Sequence, residues 1–381
     1  MASNTVCKEN MCVGCMACLD VCPKGAIQIV DAIQEYNAVI NQDKCIHCDL
    51  CHKSCQNNRT INKQSPILWM QGWIRDEKLR IKSSSGGAAR ALSEAFITRG
   101  GIVYSCLFRN GKFTFESANS LEKIAQFTGS KYVKSNPTGV YKRIKKDITE
   151  GNKVLFIGLP CQVSAVKELV GEGGSGSLYT VDLICHGTPS SKLLENYFNH
   201  RKIKLNDIQE IAFRYKESNK DSNHLKSMVT PGAVDKYSLG FLCGLDYTEC
   251  CYDCKYAGKE RVSDITIGDS WNSDLDNEEQ KKGISLILCQ TDKGVQLLQS
   301  ADMNLFPVDL ERAIAANAQL RGPSQKGVRH DKFYKTFRKT GNINKAVFRS
   351  LPKKCMMQKI KGLLLKMKIC RYGGLLHIYY Q

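Results

Sequence analysis

Hydrophobic and polar positions change their pattern near residue 67. Beyond that point, short apolar segments are interleaved with helical segments, and residues 154–157 are apolar throughout. A strand that is buried on both faces of a sheet has a short, continuous apolar sequence of this kind. The pattern therefore predicts an α/β domain with a largely buried sheet.

The same pattern predicts individual elements. Predicted strands after residue 66 are residues 68–74, 101–108, 112–116, 154–157, 178–184, 211–215, 265–267 and 284–289. Predicted helices are residues 86–98, 141–150 and 161–170, with another near residues 192–200. Before residue 66, two short strands are expected at residues 26–30 and 39–40, joined by a turn.

Eight cysteines near the N-terminus form two runs with the same spacing. The first run is Cys12, Cys15, Cys18 and Cys22, and the second is Cys45, Cys48, Cys51 and Cys55. This C-x2-C-x2-C-x3-C spacing is typical of bacterial two-cluster ferredoxins, in which the fourth cysteine of each run ligates the other cluster. We therefore predict one [4Fe–4S] cluster on Cys12, Cys15, Cys18 and Cys55, and a second on Cys45, Cys48, Cys51 and Cys22.

Structural zinc is the alternative for paired cysteines. Zinc needs four ligands per site and does not require a third cysteine two residues further on, so the spacing favours clusters. The second run departs from the ferredoxin pattern, because Gln56 rather than proline follows Cys55. We expect a changed loop there, with the cluster retained.

Length and cysteine content limit the number of domains and the class of protein. A chain of 381 residues has room for two or three domains. Nineteen cysteines without a secretory signal indicate metal ligation in a reducing cytoplasm, and no apolar stretch is long enough to predict a transmembrane helix.

The net charge is +18, but residues 326–381 contain fifteen Lys or Arg and one acid, so the remainder is near neutral. Nucleic-acid binding is not expected, since no aromatic-interleaved basic platform accompanies the charge.

The basic C-terminal segment contains a predicted amphipathic helix over residues 353–371. Its apolar face comprises Met356, Ile360, Leu363, Leu364 and Met367, and lysines largely surround it. A basic amphipathic helix can lie on an anionic membrane surface, which predicts peripheral membrane contact for a cytoplasmic protein. The alternative is a solvated helix that packs its apolar face on the rest of the chain.

A serine- and glycine-rich segment precedes the predicted helix at residues 86–98. It consists of Ser83, Ser84, Ser85, Gly86 and Gly87. Glycine allows close backbone approach and helix N-terminal amides favour anions, so the segment suits the pyrophosphate of a dinucleotide or flavin. It is neither G-x-G-x-x-G nor a P-loop, and a serine-capped helix is the alternative.

Four later cysteines lie at predicted strand ends or in a loop: Cys161, Cys185, Cys251 and Cys254. Residues at the carboxyl ends of neighbouring strands converge on one crevice, so these cysteines form a candidate third four-thiolate site, with Cys250 as a substitute for Cys251. Cys161 at a helix N-terminus is alternatively a nucleophile or redox thiol with a lowered pKa. A lone buried cysteine is alternatively a small apolar residue.

The strand predicted at residues 265–267 is followed by Gly268, Asp269 and Trp271. A carboxylate at this strand end is suited to accept hydrogen bonds from the ribityl or ribose hydroxyls of a cofactor. The alternative is a turn beside a partly buried indole.

Six ordered segments resemble one known family. They are residues 83–90, 129–133, 158–162, 181–187, 251–255 and 261–269. Together they resemble the coenzyme F-420 hydrogenase/dehydrogenase beta-subunit family, fused behind a ferredoxin module, over residues 1 to about 325. The resemblance implies FAD in the α/β domain, beside an iron–sulfur cluster.

The resemblance also implies roles for individual residues. Ser84, Ser85, Gly86 and Gly87 would face the FAD phosphates, Ser130, Lys131 and Tyr132 would line the flavin, and Gly187 would be a further cofactor contact. Cys161, Cys185, Cys251 and Cys254 become the favoured ligands of a third cluster. His186 and Asp269 are candidates for catalytic residues of the pocket, with a structural histidine as the alternative for His186.

The predicted fold is α/β (mixed α+β) in three regions: a 2[4Fe–4S] ferredoxin domain over residues 1–62, a FAD and iron–sulfur domain over residues 67–325, and a basic helical tail over residues 326–381. The predicted function is an oxidoreductase in which clusters and FAD exchange electrons and a small organic substrate exchanges a hydride. That substrate would be deazaflavin-like or an intermediate of a surface-polysaccharide pathway, and a ferredoxin-like protein would be the redox partner. Alternatives are an electron-transfer subunit serving a separate catalytic partner and a non-catalytic, metal-stabilised scaffold.

Overall fold

A computed structural model describes residues 4–214, 216 and 233–367 of the chain. Its N-terminal module contains an antiparallel pair, β1 (Ile27–Asp31) and β2 (Tyr36–Ile40), with Ile27 opposite Ile40. Both strands predicted between the cysteine runs are confirmed, and the second is longer than predicted.

The two cysteine runs adopt the same local backbone. Helix α1 (Ala17–Val21) and helix α2 (Leu50–Ser54) each begin after a left-handed residue, Met16 at φ 65° and Asp49 at φ 62°. Each helix ends directly before the fourth cysteine of its run, and the two helices contact each other. The repeated spacing therefore produces a pseudo-twofold repeat of structure.

The rest of the chain is built on one eight-stranded mixed sheet. Its spatial order is β10-β3-β9-β8-β7-β6-β4-β5, and the contiguous strands β8, β7, β6 and β4 are parallel while the outer pairings are antiparallel. The strand bounds are β3 (Leu68–Ile74), β4 (Ile102–Arg109), β5 (Lys112–Ala118), β6 (Val154–Gly158), β7 (Leu178–Leu183), β8 (Ile265–Asp269), β9 (Ser285–Cys289) and β10 (Met303–Pro307).

Helices cover both faces of this sheet. Their bounds are α3 (Glu77–Lys82), α4 (Ala88–Thr98), α5 (Leu121–Ile124), α6 (Val140–Thr149), α7 (Pro160–Val170), α8 (Ser191–Asn199), α9 (Lys236–Leu242), α10 (Asn277–Lys282), α11 (Asp292–Gln299), α12 (Leu310–Ala316), α13 (Val328–Thr340), α14 (Ile343–Ser350) and α15 (Pro352–Lys366). Successive residues of β6 point to opposite faces, so Leu155 packs with α4 and α11 while Phe156 packs with α6 and α7. All of β6 is buried, as its apolar sequence predicted.

Most predicted elements are confirmed to within two residues at each end, and the mixed α/β class is confirmed. The strand predicted at residues 211–215 is wrong over residues 211–214, which are irregular, and Tyr215 lies outside the described residues. The apolar side chain of this segment, Phe213, packs among aromatic rings. Phe213 is buried against Phe113 and Tyr132, with ring centroids 6.0 and 5.6 Å away, and so contributes to an aromatic core instead of a strand ladder.

The C-terminal helices divide into a packed part and an exposed part. Phe333 of α13 and Val347 of α14 are fully buried in a core shared with α8 and α9. Along α15, by contrast, Met356, Ile360 and Leu363 are each about half exposed. Residues 368–371 of the predicted tail helix lie outside the described residues. No helix in the described part of the chain combines the length and the apolar character needed to span a membrane.

Candidate iron–sulfur and flavin sites

The fourth cysteine of each N-terminal run lies beside the other run. Hydrogen bonding to Cys7 and burial raise the pKa of Cys55, and Cys15 of the first run contributes to that rise. Burial raises the pKa of Cys51, with contributions from Cys22 and Cys45. Crossed ligation of two [4Fe–4S] clusters requires this pairing of Cys55 with the first run and Cys22 with the second.

Backbone amides are directed at sulfur in both runs. The amide of Gly14 donates to Cys12 Sγ at 3.4 Å, and the amide of His47, two residues after Cys45, donates to its Sγ at 3.4 Å. Both donors have positive φ, 66° for Gly14 and 54° for His47, so the same strained backbone presents the amide in each run. Hydrogen bonds to cluster sulfurs are one of the features that set a cluster's reduction potential.

A ninth cysteine, Cys7, lies within the first site. Its thiol hydrogen-bonds with Cys12 and Cys55, which lowers its pKa, and Asn57 Nδ2 donates to its Sγ at 3.6 Å. Sequence analysis missed Cys7 because it precedes the repeated spacing. The local sequence carries no signal that this cysteine folds back onto the run.

The two N-terminal sites differ in exposure. Cys12, Cys15 and Cys18 are buried, and Cys15 packs in a core shared with α6 and α7 of the α/β domain. Cys48 is exposed, and its neighbours Ile46 and Leu50 are 54% and 46% exposed. The second site therefore faces outward and the first faces inward.

Gln56 joins the inward-facing site to the α/β domain. Its side chain is fully buried, and its Nε2 donates to the carbonyl of Cys161 at 2.8 Å. The hydroxyl of Tyr256 donates to Gln56 Oε1, and Tyr141 donates from its hydroxyl to the carbonyl of Cys15 at 2.8 Å. Proline has no side-chain amide, so the departure from the ferredoxin pattern supplies a polar contact between two cysteine sites.

Cys161, Cys185, Cys251 and Cys254 meet in the α/β domain beyond this contact. Cys161 is the second residue of α7 and Cys185 lies two residues beyond β7, while Cys251 and Cys254 belong to the loop before β8. Burial raises the pKa of Cys161, with contributions from Cys185 and Cys254. Burial, Cys251 and Cys254 together raise the pKa of Cys185 to about 12.

The surroundings of Cys161 and of the Cys250–Cys251 pair differ from those of an isolated reactive thiol. Burial and the neighbouring sulfurs raise the pKa of Cys161, whereas the nucleophile alternative predicts a lowered pKa at the helix N-terminus. Cys250 and Cys251 are adjacent, but Cys251 influences both Cys185 and Cys254, whereas the influence of Cys250 is on Cys251 and Lys134. These interactions are the ones expected if Cys251, and not Cys250, shares a site with Cys185 and Cys254.

A buried ion pair holds this cysteine loop against the sheet. Arg261 Nη2 donates to Asp182 Oδ1 at 3.0 Å and to the carbonyl of Leu183 at 2.7 Å, while its Nη1 donates to the carbonyl of Tyr256 at 2.9 Å. The Arg261 and Asp182 side chains are 1% and 0% exposed. The pair therefore links the chain that follows Cys254 to β7, the strand that precedes Cys185.

No group of three or more His, Cys, Asp or Glu in the described part of the chain is arranged to hold a single metal ion. A [4Fe–4S] cluster makes a different demand, because its four cysteines ligate four different irons and stand further apart than ligands of one ion. Sets of four thiols, with a backbone amide directed at sulfur in each N-terminal run, fit that demand.

A cavity of about 740 Å³ opens beside the third cysteine set. Its wall includes Cys185 and most of the residues predicted to bind the cofactor or act in catalysis: Ser84, Ser85, Gly87, Ser130, Lys131, Tyr132, His186, Gly187 and Asp269. Gly86, although described, is not among the lining residues. A Cβ on Gly86 would lie 2.3 Å from the carbonyl oxygen of Gly72, so this glycine permits close packing on β3.

The serine segment ties two parts of the cavity wall together. Ser84 Oγ accepts from the amide of Ser130 at 2.7 Å, which joins two of the predicted cofactor-binding segments. Ser85 Oγ donates to the carbonyl of Ile284 at 2.8 Å, so its hydroxyl proton is already engaged. Helix α4 begins at Ala88 on the cavity wall, where its first amides can receive an anion.

Two basic residues, Lys131 and Arg214, line the cavity. Lys131 Nζ donates to the carbonyls of Phe127 and Thr128 at 2.6 and 3.1 Å, and burial lowers its pKa to about 8. Arg214, which sequence analysis missed, donates from Nη1 to Asp269 Oδ2 at 2.6 Å and lies 5.9 Å over the Trp271 ring. Asp269 thus holds an arginine at the cavity.

His186 lines the cavity near Asp269 and Arg214. Burial lowers its pKa, and Arg214 contributes to that lowering while Asp269 opposes it. Since the ordinary pKa of histidine is about 6.5, His186 is neutral at pH 7. One of its ring nitrogens then carries a proton and can donate it, while the other can accept a proton.

Two family models match the chain. One, described as the C terminus of the coenzyme F420 hydrogenase/dehydrogenase beta subunit, matches residues 151–306. The other, described as a 4Fe-4S dicluster domain, matches residues 11–58. Residues 151–306 therefore match the coenzyme F420 hydrogenase/dehydrogenase beta-subunit family, behind a matched iron–sulfur module. The predicted family and the predicted N-terminal iron–sulfur module are both confirmed.

Relatives of this F420 hydrogenase/dehydrogenase beta-subunit homologue include two curated archaeal proteins. The F subunit of the F(420)H(2) dehydrogenase from Methanosarcina mazei is 22% identical over 295 residues, covering 70% of this chain and 79% of that protein. An uncharacterized polyferredoxin-like protein from Methanocaldococcus jannaschii is 32% identical over 68 residues, covering 16% of this chain and 40% of that protein.

One solved structure is also similar to this chain. A chain of the F420-reducing [NiFe] hydrogenase complex from Methanosarcina barkeri has a TM-score of 0.45 and 18% identity, covering 75% of this chain and 97% of that chain.

Proposed function

We propose that this chain is an iron–sulfur flavoprotein that passes electrons between an external redox partner and FAD bound in the 740 Å³ cavity. The observation that carries the proposal is the position of Cys185, which belongs to the third cysteine set and also lines the cavity. A cluster on Cys161, Cys185, Cys251 and Cys254 would therefore border the flavin pocket directly.

The succession of cysteine sites supports a relay. The exposed second run would meet the redox partner, and the first run is joined through Gln56 to the Cys161 segment. Contacts from Cys15 also reach the Cys161 thiol. Electrons would pass from the surface through the three sites to the cavity, or in reverse.

The cavity residues fit FAD in size and chemistry. Its volume lies within the range of about 300–1,000 Å³ that small-molecule sites occupy. The start of α4 offers amides to the pyrophosphate, and Tyr132, stacked 4.1 Å from Phe241, offers an aromatic wall to the flavin. When bound, FAD supplies the conversion between hydride transfer and single-electron transfer.

Neutral His186 and the Asp269–Arg214 pair would stand at the substrate end of the pocket. His186 would hold or release a proton at a ring nitrogen, while Arg214 would bind an anionic or carbonyl group of a small organic substrate. A deazaflavin fits this chemistry, as does an intermediate of a surface-polysaccharide pathway. We propose hydride exchange with such a substrate, which makes the chain an oxidoreductase.

A second candidate is an electron-transfer subunit whose catalytic partner is another chain. Its support is that the Methanosarcina mazei relative is named as a subunit of an F(420)H(2) dehydrogenase. The exposed apolar residues Ile46 and Leu50 beside Cys48 provide a surface on which such a partner could dock. In that case the flavin would pass electrons to the partner and the cavity would bind no separate substrate.

Anaerobic purification followed by iron, sulfide and flavin analysis tests the proposal. We expect about twelve irons and twelve sulfides per chain, from three four-iron clusters, together with one FAD. About eight irons would remove the third cluster, and zinc in place of iron would remove the relay. Full iron without flavin would overturn the flavoprotein proposal and favour the metal-stabilised scaffold.

We further propose that α15 contacts the periphery of an anionic membrane. Met356, Ile360, Leu363 and Met367 are 47%, 54%, 58% and 59% exposed, and exposed Lys353 and Lys359 flank them. Apolar side chains would enter the headgroup boundary while lysines bind lipid phosphates.

Vesicle flotation of the full chain tests this membrane contact. Wild type should float with vesicles of phosphatidylserine and phosphatidylcholine but not with phosphatidylcholine alone. The double substitution Ile360→Ser and Leu363→Ser should abolish flotation. Val328→Ser is the control, because Val328 is 85% exposed but belongs to α13. Equal flotation of wild type and the double variant would rule the contact out.

A further inference from the structure

Lys134 is a buried lysine between two of the cysteine sites. Its residue is 6% exposed, and its Nζ donates to the carbonyl of Val13 at 3.0 Å, inside the first cysteine run. A Cβ on Gly14 would lie 3.5 Å from Lys134 Cδ, so the lysine stem packs on the loop between Cys12 and Cys15. The side chain thus reaches from the α/β domain into the ferredoxin module.

The backbone around Lys134 directs it away from the cavity. Its neighbours Val133 and Ser135 line the cavity wall, whereas Lys134 does not. The amide of Lys134 donates to the carbonyl of Pro189 at 2.9 Å, which anchors this segment beside the chain that follows Cys185. The ammonium group therefore lies toward the first cysteine run and not in the cavity that its two neighbours line.

The groups that face this ammonium are mostly sulfurs. Cys251, Cys250 and Cys161 interact with it electrostatically, and the ring of Tyr36 lies 5.7 Å away. Within the described residues, no Asp or Glu forms a salt bridge with Lys134. A buried ammonium requires a nearby negative charge, and cluster-bound thiolates are the anions that the surrounding residues can provide.

We propose that Lys134 is a fixed positive charge that raises the reduction potential of the cluster on Cys161, Cys185, Cys251 and Cys254. The inference rests on the proposed function, since it requires that cluster. Reduction adds one electron and makes the cluster one unit more negative. A positive charge beside it stabilises the reduced state more than the oxidised state, so the one-electron potential rises.

Lys134 also contacts the loop of the first run through Val13. The same charge therefore acts on both sites that it separates. Lys134 is a positioning residue: it would make the cluster beside the flavin pocket easier to reduce than it would be without the charge.

Anaerobic redox titration followed by electron paramagnetic resonance tests this role. Lys134→Gln keeps a donor for the Val13 carbonyl but removes the charge, and Lys134→Arg keeps the charge. In Lys134→Gln we expect the reduction equilibrium of the third cluster to fall about tenfold, which is 59 mV for a one-electron couple. Lys134→Arg should stay close to wild type, as should Lys146→Gln at an exposed site on α6.

Iron analysis of every variant separates the possible results. About eight irons in wild type would refute the proposed third cluster, whatever the variants show. With about twelve irons throughout, an unchanged potential in Lys134→Gln would overturn the inference. Loss of iron in Lys134→Gln would overturn it as well, because a residue required for assembly is structural.

Discussion

Replacing Cys161 with serine should lower the iron content from about twelve to about eight atoms per chain, while the clusters of the N-terminal module persist. The thiolate is the form of cysteine that ligates iron, and a serine hydroxyl is a much poorer ligand near neutral pH. The Cys161 thiol lies next to Cys185 and Cys254, so its loss opens the proposed four-thiolate site on one side. Reduction of bound flavin through the clusters should be lost together with the four irons.

The adjacent pair Cys250 and Cys251 supplies a matched control. Cys251→Ser should reproduce the iron loss of Cys161→Ser, and Cys250→Ser should keep about twelve irons. Cys243→Ser, at the end of α9, should also be silent, because that sulfur accepts a hydrogen bond from Lys354 Nζ and lies outside the cysteine sets. Full iron in Cys161→Ser would show that the ligand set is wrong.

The sequence alone predicts those features of the fold and the site that depend on contacts between residues close together in the chain. The spacing within each run predicts the loops that bring three cysteines together, because a few residues decide that geometry. The apolar sequence of β6 predicts its burial for the same reason, since a strand covered on both faces of the sheet carries apolar side chains at successive positions.

Contacts between distant parts of the chain were beyond local patterns. Gln56 donates to the carbonyl of Cys161, 105 positions later, and nothing around Gln56 indicates that partner. The buried position of Phe213 likewise depends on Phe113 and Tyr132, so its apolar segment resembles a strand without forming one. Gly86 belongs to a motif that suggests a phosphate site, yet the carbonyl of Gly72 explains why only glycine fits there.

Replacing Arg261 with methionine should reduce the free energy of unfolding by about 3–5 kcal/mol, because it leaves the Asp182 carboxylate buried without its partner. Asp182 Oδ2 has no hydrogen-bond partner among the described residues, so the carboxylate depends on the contacts that Arg261 makes with Oδ1. The loss also frees the carbonyls of Tyr256 and Leu183. In an anaerobic thermal melt, the expected decrease in Tm is about 6–20 °C at the 2–4 °C per kcal/mol typical of domains of this size.

The double substitution Asp182→Leu and Arg261→Met separates the buried charge from the loss of packing. Removing both charges should recover most of the stability, since a buried ion pair contributes little over apolar residues of similar volume.

Arg75→Met is the exposed control: Arg75 and Asp302 are 63% and 70% exposed. Its Tm should stay near that of wild type, since exposed pairs contribute about 0–1 kcal/mol. Because Arg261 links the loop after Cys254 to the strand that precedes Cys185, the single variant should lose iron from the third site before the N-terminal clusters. A single variant as stable as Arg75→Met would show that this ion pair does not hold the cysteine loop in place.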